Sequence, residues 1–274
     1  MEKNNLPIGF FDSGVGGISV MAHAANLMPN ESFIYYGDDA NAPYGSKSED
    51  EIRELSFACG EFLYKQGVKA MVMACNTATS TCVQLIRDSY NLPVISMEPA
   101  VKPASEEVEG DILVMATAAT LSQKRYHRLV DRIGCRSRTV DLPMEKLAGL
   151  LEQGDMNSPQ VVNYIREKLS DLKGRKFDAV VIGCTHYSFV SEIIKRCVDE
   201  ELGCDVRLFD GMYGTVRQLG NVLKQNGLLA DADRAQDIKL FTSGGGELMN
   251  VLLLIISILW SWRGKSFARR NSSF

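Results

Sequence analysis

Two segments a little over a hundred residues apart share one layout, and that repeat limits the fold more than any other feature of the chain. Lys69 to Ser80 reads KAMVMACNTATS and Asp178 to Ser188 reads DAVVIGCTHYS. At a shift of 109 residues, Lys69 over Asp178, both run from an alanine through large apolar residues and one small residue to a cysteine. A polar pair follows each cysteine, Asn76-Thr77 in one and Thr185-His186 in the other. A weaker copy overlays Ile8 to Ser13 (IGFFDS) on Ile112 to Thr117 (ILVMAT) at a shift of 104. Such a repeat implies two similar halves that build one site between them, with a thiol approaching a substrate from each side. Two opposed thiols suit a reaction that takes a proton from one face of a carbon and returns one to the other.

Short apolar runs alternate with helix-length segments along the whole chain. Ile8 to Phe11, Phe33 to Tyr36, Ala70 to Met73, Val94 to Ser96, Ile112 to Met115, Ala179 to Ile182, Val206 to Phe209 and Ile238 to Phe241 read as strands. Ser48 to Gln66, Thr79 to Tyr90, Ser122 to Ile133, Ser158 to Leu172 and Tyr187 to Glu200 read as helices. This order predicts an α/β fold with mostly parallel sheets. Ligands of such sheets bind beyond the carboxyl ends of the strands, where Asp12-Ser13, Gly37-Asp38, Cys75-Asn76-Thr77, Glu98, Ala116-Thr117, Cys184-Thr185-His186 and Asp210 all fall. Hinges are expected near Met97 to Pro103 and near Cys204 to Gly211. Residues 1–98 with 209–274 then form the first domain, carrying Cys75, and residues 99–208 form the second, carrying Cys184.

Composition excludes more than it identifies. A chain of 274 residues that is 45% apolar can bury a large core. A net charge of −4 and the absence of basic stretches interleaved with aromatics in the first 240 residues give no nucleic-acid partner. No export signal opens the chain, so the cytosol is expected. The seven cysteines form no CxxC and no even, close spacing, and the three histidines, His23, His127 and His186, are far apart, so reduced thiols are expected and structural zinc is not. The glycines do not form GxGxxG and no P-loop lysine follows them. On ordinary grounds Cys59, Cys82, Cys135, Cys197 and Cys204 are apolar fillers, His23 and His127 pack or face solvent, and Asp12-Ser13 caps a helix.

Five ordered stretches carry a resemblance: FDSGVGG (Phe11 to Gly17), YYGDDANAPYGSKS (Tyr35 to Ser48), ACNTATS (Ala74 to Ser80), MEPAVKPA (Met97 to Ala104) and GCTHY (Gly183 to Tyr187). Together they resemble bacterial glutamate racemase, within the aspartate/glutamate racemase family, from about Ile8 to about Gly244. The resemblance implies two α/β domains around a central cleft and a reaction without cofactor or metal that interconverts L- and D-glutamate for peptidoglycan. It implies that Cys75 works on D-glutamate and Cys184 on L-glutamate, each the acid of the reverse direction. Asp12 and His186 match groups that assist Cys75 and Cys184 respectively, and Asp38 and Glu152 match further acidic helpers. Asn76, Thr77 and Thr185 are cast as holding the α-carboxylate and ammonium, with N–H groups at the following helix starts helping, and Thr117 as a further substrate contact. Ser13, Pro43, Tyr44 and Gly45 are cast as contacts to substrate, the loop around them facing the distal carboxylate. Glutamate is the expected partner, a second copy of the chain is the candidate oligomer, and neither nucleic acid nor membrane is expected. The rivals are a racemase for aspartate or another amino acid and, from a different class, a racemase-shaped binding or regulatory protein.

A thiol has a reference pKa of roughly 8.5, far below that of an amino-acid α-proton, so the site must strengthen the base and stabilise the carbanion. The tail departs from the family. Leu248 to Trp262 is nearly all apolar and the remainder is basic. As a helix this stretch would span about 22 Å at about 1.5 Å per residue, short of a bilayer core of about 30 Å. Packing on the protein or on a second subunit is expected over an anchor, and an abrupt change of composition is also what a shifted reading frame produces.

Overall fold

The computed structural model describes residues 3–152 and 156–244. Its strands are β1 (Ile8–Asp12), β2 (Phe33–Gly37), β3 (Ala70–Met73), β4 (Val94–Ser96), β5 (Ile112–Ala116), β6 (Thr139–Pro143), β7 (Ala179–Gly183), β8 (Arg207–Asp210) and β9 (Ile238–Thr242). Its helices are α1 (Ile18–Leu27), α2 (Glu49–Lys65), α3 (Asn76–Ser89), α4 (Val101–Glu107), α5 (Ala118–Ser122), α6 (Lys124–Ile133), α7 (Leu147–Glu152), α8 (Pro159–Ser170), α9 (Ser191–Leu202) and α10 (Gly211–Gln225).

The strands make two parallel sheets, ordered β4-β3-β1-β2-β9 and β6-β5-β7-β8. Read from the other edge, the second sheet is β8-β7-β5-β6, the order of β4-β3-β1-β2 with each strand advanced by four. The register repeats as well: Ile8 pairs with Ala70 in the first sheet and Ile112 with Ala179 in the second. The duplication expected from the two cysteine segments is therefore a duplication of sheet topology, with β9 as the extra strand of the first sheet.

Parallel strands are buried on both faces, so their side chains divide by alternation. In the first sheet Ile8, Phe10, Val72 and Ile95 meet Ile18 and Met21 of α1 and Leu219 and Leu223 of α10. Phe11, Met71 and Met73 face the other way, onto Ile52 and Leu63 of α2 and Val83 and Ile86 of α3. In the second sheet Leu113, Met115, Val180 and Ile182 pack on α8 and α9, while Ile112, Val114 and Val181 pack on α4 and α6. Local signals set the helix ends. Ser48 and Glu51 form a reciprocal capping box at α2, and Gly134 and Gly203 close α6 and α9 in the left-handed conformation, at φ 76° and 62°.

The chain crosses between the sheets after β4 and returns at Asp210–Gly211. The last strand of the second sheet, β8, runs to Asp210, which caps α10 by accepting the Met212 N–H at 2.8 Å. Space at the crossings is tight: a Cβ on Gly211 would lie 2.4 Å from the Glu98 carbonyl oxygen. Among the described residues no helix is long and apolar enough to cross a membrane. The tail discussed above, Leu248 to Trp262, lies outside the described residues.

Candidate active site

The carboxyl ends of the two sheets face each other, and the two cysteines lie at equivalent places, just past β3 and β7. Cys75 and Cys184 are 4% and 8% exposed, so neither thiol meets bulk water in this closed arrangement. All seven cysteines are buried free thiols. Their number alone does not mark the site, but the strand ends do.

Cys75 is the N-cap of α3. Its sulfur accepts the Ala78 N–H at 3.4 Å and its thiol donates to Ser13 Oγ at 3.5 Å. The helix therefore begins at Asn76, three residues before the expected start at Thr79. Burial pushes the Cys75 pKa up to about 12, with the Asp12 charge adding to it and the Ala78 N–H and Ser13 hydroxyl opposing. Asp12 is fully buried at the end of β1, where Oδ1 accepts the Gly14 N–H at 3.1 Å and Oδ2 accepts the Thr185 hydroxyl at 3.1 Å. Burial raises its pKa above the usual carboxylate range, and the nearby His186 charge works against that. Asp12 thus starts in the first half and bonds to the second.

Past Cys184 the chain forms a 3-10 turn over Thr185–Val190, and α9 starts only at Ser191, not at the expected Tyr187. This turn brings His186 back beneath the cysteine, with Nδ1 3.8 Å from the Cys184 sulfur. Nε2 of the same ring pairs with Glu152, which is carried to it by the C-terminal end of α7. Burial alone would lower the His186 pKa, but the hydrogen bonds and charges of Cys184 and Glu152 outweigh it and hold the pKa well above the ordinary value. As an imidazolium the ring donates from both nitrogens. Glu152 Oε1 also accepts the Val15 N–H at 3.4 Å, a second bond between the halves.

The glycines of DSGVGG make this approach possible. A Cβ on Gly14 would fall 2.0 Å from Glu152 Oε1, and one on Gly16 would fall 2.4 Å from Thr185 Oγ1. Underneath, the Tyr35 hydroxyl donates to the Gly14 carbonyl at 2.7 Å and fixes the loop.

Three threonine hydroxyls clasp the halves. Thr77 Oγ1 lies 3.0 Å from Thr117 Oγ1 and 3.3 Å from Thr120 Oγ1, and Thr117 is the N-cap of α5, accepting the Thr120 N–H at 3.1 Å. Thr117 also backs Gly45, whose Cβ would touch the Thr117 side chain at 3.0 Å. Pro43 follows a cis peptide bond and leads into the Tyr44–Ser46 turn. The buried Tyr44 donates to Asp38 Oδ2 at 2.5 Å, and Asn41 donates to Asp38 Oδ1 at 2.9 Å. Asp38 thus anchors the Pro43–Gly45 loop and has no bond to either cysteine. Asn76 is 3% exposed, and its amide nitrogen and oxygen are both buried without a hydrogen-bond partner in the protein.

Of the residues singled out in the sequence, Asp12, Ser13, Cys75, Thr77, Thr117, Glu152, Cys184, Thr185 and His186 are bonded to one another at this junction, and Asp38, Pro43, Tyr44 and Gly45 lie in or against its loop. Thr120 and Tyr35 belong to it and were not anticipated. Thr120 had a weak signal, three residues past the capping Thr117, whereas Tyr35 is one more aromatic of an apolar strand and its bond to Gly14 is visible only in three dimensions.

Residues 17–219 match the model of the Asp/Glu/Hydantoin racemase family. The chain is 44% identical over 244 residues to a glutamate racemase of Clostridium perfringens, covering 88% of this chain and 92% of that one. It is 43% identical over 251 residues to a glutamate racemase of Clostridium botulinum, covering 91% and 96%. Among solved structures, the glutamate racemase of Francisella tularensis in complex with D-glutamate superposes with a TM-score of 0.79 at 27% identity, covering 92% of this chain and 94% of that one. A glutamate racemase isoform of Bacillus anthracis does so with a TM-score of 0.81 at 28% identity, covering 95% of each. With the duplicated sheets and paired cysteines, these likenesses leave one assignment: the chain belongs to the Asp/Glu/Hydantoin racemase family.

Proposed function

We propose that this protein is an isomerase that interconverts L- and D-glutamate without a cofactor, using Cys75 and Cys184 as two bases on opposite faces of the α-carbon, and that it supplies D-glutamate for peptidoglycan in the cytosol. The observation that carries the reading is a thiol at the equivalent strand end of each half, each beside its own acid–base partner: Asp12 on the Cys75 side, His186 with Glu152 on the Cys184 side. Relatives named as glutamate racemases, one solved with D-glutamate, support glutamate as the substrate. We further propose that residues 1–98 with 209–274, and residues 99–208, work as the two domains of a cleft.

The electrostatics suggest how the resting enzyme is poised. With a pKa of about 12, taking the proton off Cys75 at pH 7 costs about 7 kcal/mol, at about 1.4 kcal/mol for each pH unit. Cys75 therefore waits as the proton donor, and Cys184, with His186 Nδ1 3.8 Å from its sulfur, is the base that removes the α-proton of L-glutamate. In the reverse direction the substrate ammonium supplies the attraction that lets Cys75 ionise. Asn76, Thr77, Thr117 and Thr185 hold the α-carboxylate and ammonium, and Ser13, Tyr44 and Gly45 receive the distal carboxylate.

The test is circular dichroism of L-glutamate with purified protein and no added cofactor. The wild type is expected to abolish the signal, and Cys75→Ala and Cys184→Ala each to lose turnover by several orders of magnitude while keeping the fold. Near-normal turnover by either variant would sink the two-thiol mechanism. Turnover in D2O is expected to place deuterium first in the product enantiomer, and equal early labelling of substrate and product would point to a single base.

A further inference from the structure

The acidic residue of the MEPAVKPA stretch, Glu98, has no part in the chemistry above, yet it sits where the chain first crosses between the halves. Its carboxylate pairs with Arg125 of α6, on the second sheet's side. On the first sheet's side Arg87 of α3 donates to the Val94 carbonyl at 3.2 Å and to Ser96 Oγ at 3.1 Å. Burial lowers the Arg87 pKa, the Arg125 charge lowers it further and Glu98 opposes both, so the three groups act on one another. Glu98 is therefore a carboxylate paired with a guanidinium of the second half and close enough to Arg87 of the first half for its charge to be felt there, at the point where Gly211 lets the two crossings touch.

Adjacent lies a small, partly open cavity of about 10 Å³, bordered by Asn76, Glu98, Thr120, Arg125 and Tyr126 among others. That is about the room one water molecule needs. Two of these side chains carry buried polar atoms without a partner in the protein: Nδ2 and Oδ1 of Asn76 and Nε of Arg125. Orphaned atoms of this kind are uncommon in folded proteins and ask for an explanation. One water hydrogen-bonded to both side chains answers for Arg125 Nε and for one end of the Asn76 amide, and leaves the other end for substrate.

We propose that Arg125 is a positioning residue: held by Glu98 at the crossing, it orients the Asn76 amide through a single water in this cavity and so links the hinge to the grip on substrate. The proposal rests on the reading of Asn76 as a substrate-holding residue. Arg125 and Glu98 lie outside the reacting groups, so their replacement is expected to act on binding more than on proton transfer.

The experiment is steady-state racemisation of both enantiomers by the wild type, Arg125→Leu, Arg125→Lys and Glu98→Gln, with melting temperatures and a high-resolution crystal structure of the wild type. Arg125→Leu is expected to raise KM about tenfold for each enantiomer with kcat within about threefold, the effect of losing one buried hydrogen bond. Lysine keeps the charge opposite Glu98 but lacks Nε, so Arg125→Lys is expected to keep the raised KM while its melting temperature returns to that of the wild type. An ordered water between Asn76 and Arg125 Nε is expected in the crystal. A wild-type KM in Arg125→Leu overturns the proposal, as does restoration of KM by lysine or a cavity without that water. If Arg125→Leu fails to fold, the lysine variant and the crystal structure decide. A wild type that does not racemise glutamate overturns the functional reading beneath, whereas an active wild type with unchanged variants overturns this proposal alone.

Discussion

Replacing Gly14 by alanine tests the approach of Glu152 to His186 without touching an ionisable group. Gly14 is not among the glycines with positive φ, so alanine meets no backbone strain there. The added methyl would stand 2.0 Å from Glu152 Oε1 and 3.2 Å from His186 Nε2. Since carbon and oxygen pack at about 3.5 Å, the carboxylate must retreat by about 1.5 Å. That distance breaks its pairing with His186 and its already long bond from Val15 N–H. Losing a hydrogen bond between charged groups costs about 1.5–3 kcal/mol, or about 10- to 150-fold in kcat/KM. His186, still buried, would lose the carboxylate that holds its pKa up, so the alkaline limb of the pH–rate profile should move to lower pH. Because the two enantiomers are equal in energy, kcat/KM must fall equally in both directions, and the assay is circular dichroism from each enantiomer across pH. Glu152→Gln should produce a similar loss, and the double variant should lose little more than either alone. Gly14→Ala activity within twofold of wild type, or additive losses in the double variant, would refute the reasoning.

The Thr77–Thr117 clasp should show a coupling of about 1 kcal/mol in a double-mutant cycle with valine, read as substrate KM and urea stability; independent losses would mean that the hydroxyls do not hold the halves together. Lys69 and Glu31 form a fully buried ion pair at the opposite end of the first sheet, 0% and 3% exposed. Lys69→Met should therefore cost about 3–5 kcal/mol in urea unfolding, because Glu31 is left without its cation. The raised pKa of His186 gives stability that is complete below about pH 6.5 and is lost as pH climbs through the folded value. The unfolding free energy should thus decline on the alkaline side, and Glu152→Gln should flatten that decline. A pocket built for a distal carboxylate at glutamate's length should make glutamine and alanine very poor substrates and aspartate a poor one; faster turnover of aspartate would move the assignment within the family.

Strands with continuous apolar runs were readable because both faces of a parallel sheet are buried, and all eight expected strands are present. The ninth, β6, escaped because Thr139–Pro143 is an edge strand, mostly half-exposed, that ends in proline. The helix after Cys75 starts earlier than its sequence signals because a sulfur is not a usual N-cap, and the segment after Cys184 reads as α-helix because over six residues the i, i+3 spacing of a 3-10 turn also fits an α-helix. The cysteine pair was legible from the repeat itself. The Glu152–Gly14 contact was not, since it joins residues 138 apart in the chain and depends on a missing side chain.

The return of the chain to add β9 beside β2 has a consequence for synthesis. Everything in the second sheet, Ile112 to Asp210, is one uninterrupted stretch, whereas the first sheet waits for Ile238–Thr242 to cover its edge. On the ribosome the Cys184 half can complete its sheet while the Cys75 half still exposes the hydrogen-bonding groups of β2. The nascent protein therefore passes through a stage with one finished lobe and one open strand edge, the kind of edge that recruits other chains. How long that stage lasts is set by the time between synthesis of Asp210 and emergence of Thr242, so slow codons between Gly211 and Thr242 would influence yield without altering a single amino acid.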